Sequence, residues 1–268
     1  MTDAHVHLQD PLFTRDWEEV LEQALRINVR RFLCNGTEPD DWESVKNIAE
    51  NRPEVLPCFG LHPWLVGKNR EKDWETVLNE FLDQRSFPCG YCPGIGEIGL
   101  DFAVFFKSDS EREDVFRKQL RIAAERCLPV MIHSVRATSR IDTILSEEPR
   151  VPVFLLHSFS GPVDLITALV QKNGFFSFSA NVLKEANRRV REAAVAIPED
   201  RILLESDAPA LPLVRGERNE PTILVKILHC IAELRKMPVD KLQTAICQNM
   251  NRFLEFWPQS EQPEPRTT

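Results

Sequence analysis

The chain has 268 residues, 43% apolar and 28% charged, which suits one large globular domain of the length typical for a single α/β barrel. Its net charge of −8 argues against a broad basic face for gripping duplex nucleic acid, although bound divalent cations would still let a polyanionic substrate approach. No apolar stretch nears the roughly 20 residues that cross a bilayer, and no basic region leads into an apolar core at the start, so neither a membrane span nor a secretory leader is expected.

Strand-like and helix-like segments alternate along the chain. Apolar, β-branched or aromatic runs occupy Thr2–His7, Val29–Asn35, Val55–His62, Gly94–Gly99, Pro129–His133, Val151–His157, Gly174–Ser179 and Arg201–Asp207. Between them lie stripes of helical period, beginning with Trp17, Val20, Leu21, Ala24 and Leu25, then Trp42, Val45, Ile48 and Ala49, then Trp74, Val77, Leu78, Phe81 and Leu82. Ser110 and Glu113 have the spacing of a capping box ahead of Phe116, Leu120 and Ala123. Pro162 stands near the start of a helix through Leu165, Ile166 and Leu169, with Gly174 just past its end. Two amphipathic stretches, Thr222–Leu234 and Val239–Phe256, follow the eighth strand. The order predicts an α/β fold, a (β/α)8 TIM barrel in one domain over residues 1–257, followed by a flexible Pro- and Glu-rich tail over 258–268. The seven cysteines are odd in number and scattered, as in a cytoplasmic protein, and Cys89 and Cys92 are expected to be two loop thiols.

Six of the runs end on a His, Glu or Asp: His5 and His7, His62, Glu97, His133, His157 and Asp207. In such a barrel the strand C-termini converge in one mouth, so these side chains should meet there. His5 and His7 lie two apart and so share one face of a strand. Imidazole and carboxylate together suit zinc or manganese, and carboxylate also suits magnesium. Six such ligands, His5, His7, Glu97, His133, His157 and Asp207, exceed what one tetrahedral zinc wants. Two divalent metal ions (Mg2+, Mn2+ or Zn2+) are therefore expected, with Glu97 able to bridge them and Asp207 placed to orient or deprotonate a water.

These residues sit within longer motifs. Asp3-Ala4-His5-Val6-His7-Leu8, Gly60-Leu61-His62-Pro63, Ile95-Gly96-Glu97-Ile98-Gly99-Leu100-Asp101, Leu156-His157-Ser158-Phe159-Ser160-Gly161, Leu204-Glu205-Ser206-Asp207-Ala208-Pro209 and Arg218-Asn219-Glu220-Pro221 follow in order. In this set the chain resembles the TatD family of metal-dependent hydrolases, DNases within the amidohydrolase-like TIM barrels. The resemblance implies the same six metal ligands, with catalysis centred on Glu97 and Asp207. It places His62 on the substrate side of the pocket and has Glu205 brace Asp207 from behind. Two departures stand out. The family often has Arg two residues past the strand-five His, whereas here His133-Ser134-Val135-Arg136 displaces it by one, which puts a phosphate contact by Arg136 in question. Phe102 stands where the family often has Tyr. Arg218 has two possible uses, a substrate phosphate or a brace for the last loop, and the bracing use is expected.

The implied activity is a deoxyribonuclease or phosphodiesterase working on DNA ends, 3′-5′ exonuclease-like, because a narrow barrel mouth suits a single-stranded or frayed end. The alternative is hydrolysis of a small ester, lactone, amide or phosphate on the same metals, since fold alone does not separate the two. Basic and aromatic residues at the mouth would favour the first, with Trp64, Lys68, Arg70, Lys107, Arg136 and Lys184 as candidates. A catalytically silent barrel would show decayed ligands, and none of the six has decayed. No membrane and no protein partner is expected, and the chain is expected to be a monomer or weak oligomer.

Overall fold

Eight apolar runs form eight parallel strands paired in sequence order. They are β1 (Thr2–Val6), β2 (Arg31–Asn35), β3 (Val55–Phe59), β4 (Gly94–Asp101), β5 (Val130–Val135), β6 (Phe154–Leu156), β7 (Gly174–Phe178) and β8 (Ile202–Leu204). The structure, a computed structural model, describes residues 1–259 except 85–86, 106–108 and 215. The helices are α1 (Trp17–Arg26), α2 (Pro39–Asn51), α3 (Trp74–Leu82), α4 (Asp109–Arg126), α5 (Thr138–Glu147), α6 (Ile166–Gln171), α7 (Arg188–Ala196), α8 (Leu224–Leu234) and α9 (Val239–Glu255). Every strand is thus followed by a helix that covers the outer face, which is the (β/α)8 barrel. None of the described helices is long and apolar enough to cross a membrane.

The gap between β8 and β1 is closed beyond the ladder. Asp207 N–H donates to His5 O and His7 N–H to Ala208 O, both at 2.9 Å. Buried Asp3 adds a side-chain latch, accepting from Ser206 N–H at 2.8 Å and Ser206 Oγ–H at 2.6 Å. Burial pushes the Asp3 carboxyl up to about 7.

Inside the barrel, Leu33, Met131, Leu155, Phe175 and Leu203 form an apolar plug with Ala4, sealed at the base by Phe253 and Trp257. Side chains on a strand repeat every second residue on one face, so the next inward layer is Asn35, His133, His157, Ser177 and Glu205. The plug and the polar layer are therefore consecutive floors of one interior. β1 and β4 depart from this spacing, since their registers shift between Asp3 and Val6 and between Ile95 and Ile98. Such irregularities re-aim side chains, and His5 and Glu97 sit within them. Gly99, at φ 139°, has to be glycine, because a Cβ there would lie 2.1 Å from the carbonyl oxygen of His133 on β5.

Several local expectations are corrected. The ladder at β6 and β8 is only three residues long, so His157 and Asp207 lie past the paired strands, as do His7 and His62. α4 already includes Asp109, so Ser110 sits inside its first turn, and the Glu113 carboxylate accepts from Arg140 instead of capping. The left-handed exit from α6 is Asn173 at φ 65°, while Gly174 opens β7. The tail begins with pinned residues, since Pro258 O accepts from Cys92 N–H at 2.9 Å and Gln259 bridges Tyr91. Residues 260–268 lie outside those described.

Candidate active site

The polar floor of the barrel converges on one carboxylate. Glu97 Oε2 faces His5 Nε2 at 3.2 Å and His7 Nε2 at 3.3 Å. Its other oxygen, Oε1, faces His133 Nδ1 at 2.6 Å, His157 Nε2 at 2.8 Å and His62 Nε2 at 3.3 Å. Asp207 Oδ1 stands 3.8 Å from His7 Nε2. The six proposed ligands and His62 are thus gathered from six strand ends around the two oxygens of Glu97.

Hydrogen-bond partners fix which nitrogen is free in the neutral rings of His7, His133 and His62. In neutral His7, Nδ1–H donates to Asn35 O at 2.8 Å, which leaves the lone pair on Nε2, aimed inward. His133 Nε2–H donates to Asp101 Oδ2 at 3.1 Å, which leaves Nδ1 inward. His157 turns Nδ1 towards Glu205 Oε1, but at 3.5 Å the contact is too long for a good hydrogen bond. His62 is the opposite case. Its Nδ1 accepts the backbone N–H of Trp64 at 3.2 Å, so Nε2 carries the hydrogen and points a donor at Glu97. Neutral His62 therefore has no inward lone pair for a metal.

Electrostatics follow from burial and from this crowding. Burial raises the Glu97 carboxyl, but His157, His62 and His5 around it reverse that and hold it well below the usual range. Burial and the neighbouring His157 push His5 well down. Burial opposes protonation of His7, yet Glu97 and Asp207 push it up to about 9. Burial lowers His62. Burial, reinforced by Glu205, pushes the Asp207 carboxyl up to about 7 against the opposing pull of His157. Asp207 is also held at φ 56°, in the left-handed region that Asp tolerates better than most residues.

The donor set fits divalent cations. Ring nitrogens meet directly, His5 with His7 and His133 with His157 at 3.2 Å, and both buried carboxylates lie among them. Among the described residues, three groups bring ligand atoms within 4.8 Å of one another: His5, His7 and Glu97; His5, His157 and Glu205; and His62, Glu97 and His133. Lone pairs packed this closely need protons or a cation between them. The tautomer of His62 removes it from the third group, while Glu97 remains common to both sides.

The site floors a cavity of about 490 Å3, walled by Gln9, Asp10, Thr37, Glu38, Asp40, Asp41, Trp64 and Leu65. No Lys or Arg is among its described lining residues. Lys68 is tied to Glu38 at 2.5 Å and Arg70 to Glu111. Arg136 is exposed in a left-handed conformation after β5 and does not line the cavity. Lys184 Nζ lies 3.3 Å from Asn181 Oδ1, and Lys107 falls outside the described residues. Glu205 is fully buried, takes the Ser177 hydroxyl hydrogen bond, and faces His157 instead of bracing Asp207. Arg218 braces, gripping Asp16 through two nitrogens, accepted also by Leu12 O and Glu220, with Phe13 beneath it at 4.9 Å.

One functional residue has no counterpart in the expected set. Asp101, buried at the end of β4, takes His133 Nε2–H and Trp64 Nε1–H on the same oxygen, at 3.1 and 2.8 Å. The burial of this carboxyl favours its neutral form, but the hydrogen bonds from His133 and Trp64 outweigh that and lower it. Its only sequence signal was its place at the end of the Gly96-Glu97-Ile98-Gly99-Leu100-Asp101 stretch.

A family model described as "TatD related DNase" matches residues 2–255. The chain belongs to the TatD-related DNase family. Among its relatives, "Putative deoxyribonuclease tatdn3" of Danio rerio is 32% identical over 260 residues, covering 94% of this chain and 96% of that one. The "3'-5' ssDNA/RNA exonuclease TatD" of Escherichia fergusonii is 31% identical over 245 residues, covering 88% and 91%. The crystal structure of YjjV, a TatD homologue from Escherichia coli K12, superposes with a TM-score of 0.86 at 27% identity, covering 94% of this chain and 97% of its own. This TatD-family chain is thus a metal-dependent hydrolase by family, and its barrel is the family's barrel.

Proposed function

We propose that the chain is a metal-dependent nuclease that hydrolyses phosphodiester bonds at DNA ends, 3′-5′ exonuclease-like. The observation that carries the reading is Glu97, whose two oxygens face separate histidine groups at the floor of a cavity without basic walls. On this reading His5, His7, Glu97 and Asp207 would hold one divalent cation, and Glu97, His133 and His157 would hold a second. When bound, such ions polarise the scissile phosphate and lower the pKa of a water. The lack of Lys and Arg in the described walls makes them the main positive charge that a phosphate would meet.

The chain's own residues supply orientation and proton handling. Asp207, whose Oδ1 stands 3.8 Å from His7 Nε2 at the edge of the cluster, accepts the proton of the attacking water. His62 donates its Nε2–H to a substrate oxygen, its tautomer fixed by Trp64 N–H. Asn35 O and Asp101 orient His7 and His133 from behind, as outer partners of ligands commonly do. The family names favour this reading over a small ester or lactone substrate, and of the basic and aromatic candidates at the mouth Trp64 lines the cavity. All seven cysteines are free, which fits a reducing compartment such as the cytoplasm.

The test uses metal-stripped protein with magnesium, manganese or zinc restored, acting on end-labelled single- and double-stranded DNA beside a lactone panel. Stepwise release of nucleotides from the 3′ end, faster on single strands, is expected. Hydrolysis of a lactone with no cleavage of DNA would overturn the reading.

A further inference from the structure

Trp64 is 56% exposed, yet it is held in one orientation. Its indole N–H donates to Asp101 Oδ2 at 2.8 Å, and its backbone N–H to His62 Nδ1 at 3.2 Å. The ring meets the imidazoles of His62 and His133 nearly perpendicularly, with centroids 5.0 and 5.9 Å away. Its anchor is equally fixed. Asp101 is 1% exposed, and its second oxygen accepts the Ala103 N–H at 2.7 Å. A large aromatic pinned by its polar edge and left open over half its surface leaves apolar area in water that nothing within the described chain covers. That surface borders the same cavity as His7, Glu97, His157 and Asp207.

We propose that Trp64 is the stacking platform for an unpaired base at the end of the substrate strand, and that Asp101 is the positioning residue that sets this platform relative to His133. The inference rests on the nuclease reading above and specifies its substrate as a strand end with free bases. Two requirements of end recognition are then divided. Cations hold the phosphate, while the indole holds the base beside it. Every base offers a flat π face, so the platform grips without reading sequence. In a duplex interior both faces of a base are covered by its neighbours, so the platform selects single-stranded or frayed ends. Asp101 joins the two tasks, because one of its oxygens binds both the ring that stacks and the imidazole that faces Glu97.

The test compares two single-stranded oligonucleotides of one length, one with ordinary 3′-terminal nucleotides and one abasic at its last two positions. The readout is the ratio of their kcat/KM values, with KM and kcat separated. Wild type is expected to prefer the ordinary end roughly tenfold, mostly through KM, as one stacked base should provide. In Trp64→Ala the ratio falls to about one, and in Trp64→Phe most of it is retained. A general loss of activity through a disturbed Asp101 or His133 would lower both rates and leave the ratio at its wild-type value. That result, or a wild-type ratio of one, overturns the stacking role while the nuclease reading stands. Wild type that cleaves neither oligonucleotide brings down the nuclease reading and this inference with it.

Discussion

Glu97→Gln is expected to lower kcat/KM on single-stranded DNA at least about 10³-fold, a loss of roughly 4 kcal/mol in transition-state stabilisation. The reason is geometric. Each oxygen of Glu97 faces its own set of histidines, so one substitution disturbs both proposed cation positions. Glutamine keeps the volume but offers one weakly basic oxygen and replaces the other with a donor, which cannot ligate. The fold should persist, because the plug of Leu33, Met131, Leu155, Phe175 and Leu203 lies below the site and is untouched. Steady-state kinetics beside a urea unfolding curve of the metal-free protein check both halves. A Glu97→Gln enzyme with wild-type activity would remove the basis of the site.

Asp207→Asn is the second large effect. A positioned general base typically contributes 10²–10⁴-fold, so kcat should fall within about that range while KM changes little. Asp207 reaches the cluster only at its edge, 3.8 Å from His7, so its loss should leave the group around Glu97 Oε1 intact. Measuring kcat and bound metal on the same preparation separates the roles. A large drop in kcat with metal largely kept supports proton transfer, whereas an unchanged kcat would show that Asp207 does not act on the water.

Much of this was legible in the sequence because the barrel repeats one pattern eight times. Each apolar run with a polar end marks a strand, and the strand C-termini of a barrel share one face, so His5, His7, Glu97, His133, His157 and Asp207 could be grouped before any contact was known. Where each strand stops was less legible. His157 and Asp207 continue apolar runs in composition, but backbone pairing ends before them. Helix ends were misread where two signals compete. Asn173 takes the left-handed turn although Gly174 follows it, and Glu113 is drawn to Arg140 on the neighbouring α5. Asp101 was opaque for a different reason. Its partners, Trp64 and His133, come from the loop after β3 and from β5, and no local spacing announces that meeting. Arg218 was legible because Arg218-Asn219-Glu220 already carries a partner for the guanidinium two residues away, and Asp16 completes the pair.

The central claim is that two cations share Glu97, and counting them tests it most directly. Metal-stripped wild type and Glu97→Gln should be dialysed to equilibrium against manganese or zinc and their bound metal measured by elemental analysis. Two ions per wild-type chain, with fewer than one retained by Glu97→Gln, is the predicted result. A fully active wild type that binds one ion, or a Glu97→Gln variant that keeps two, would contradict it.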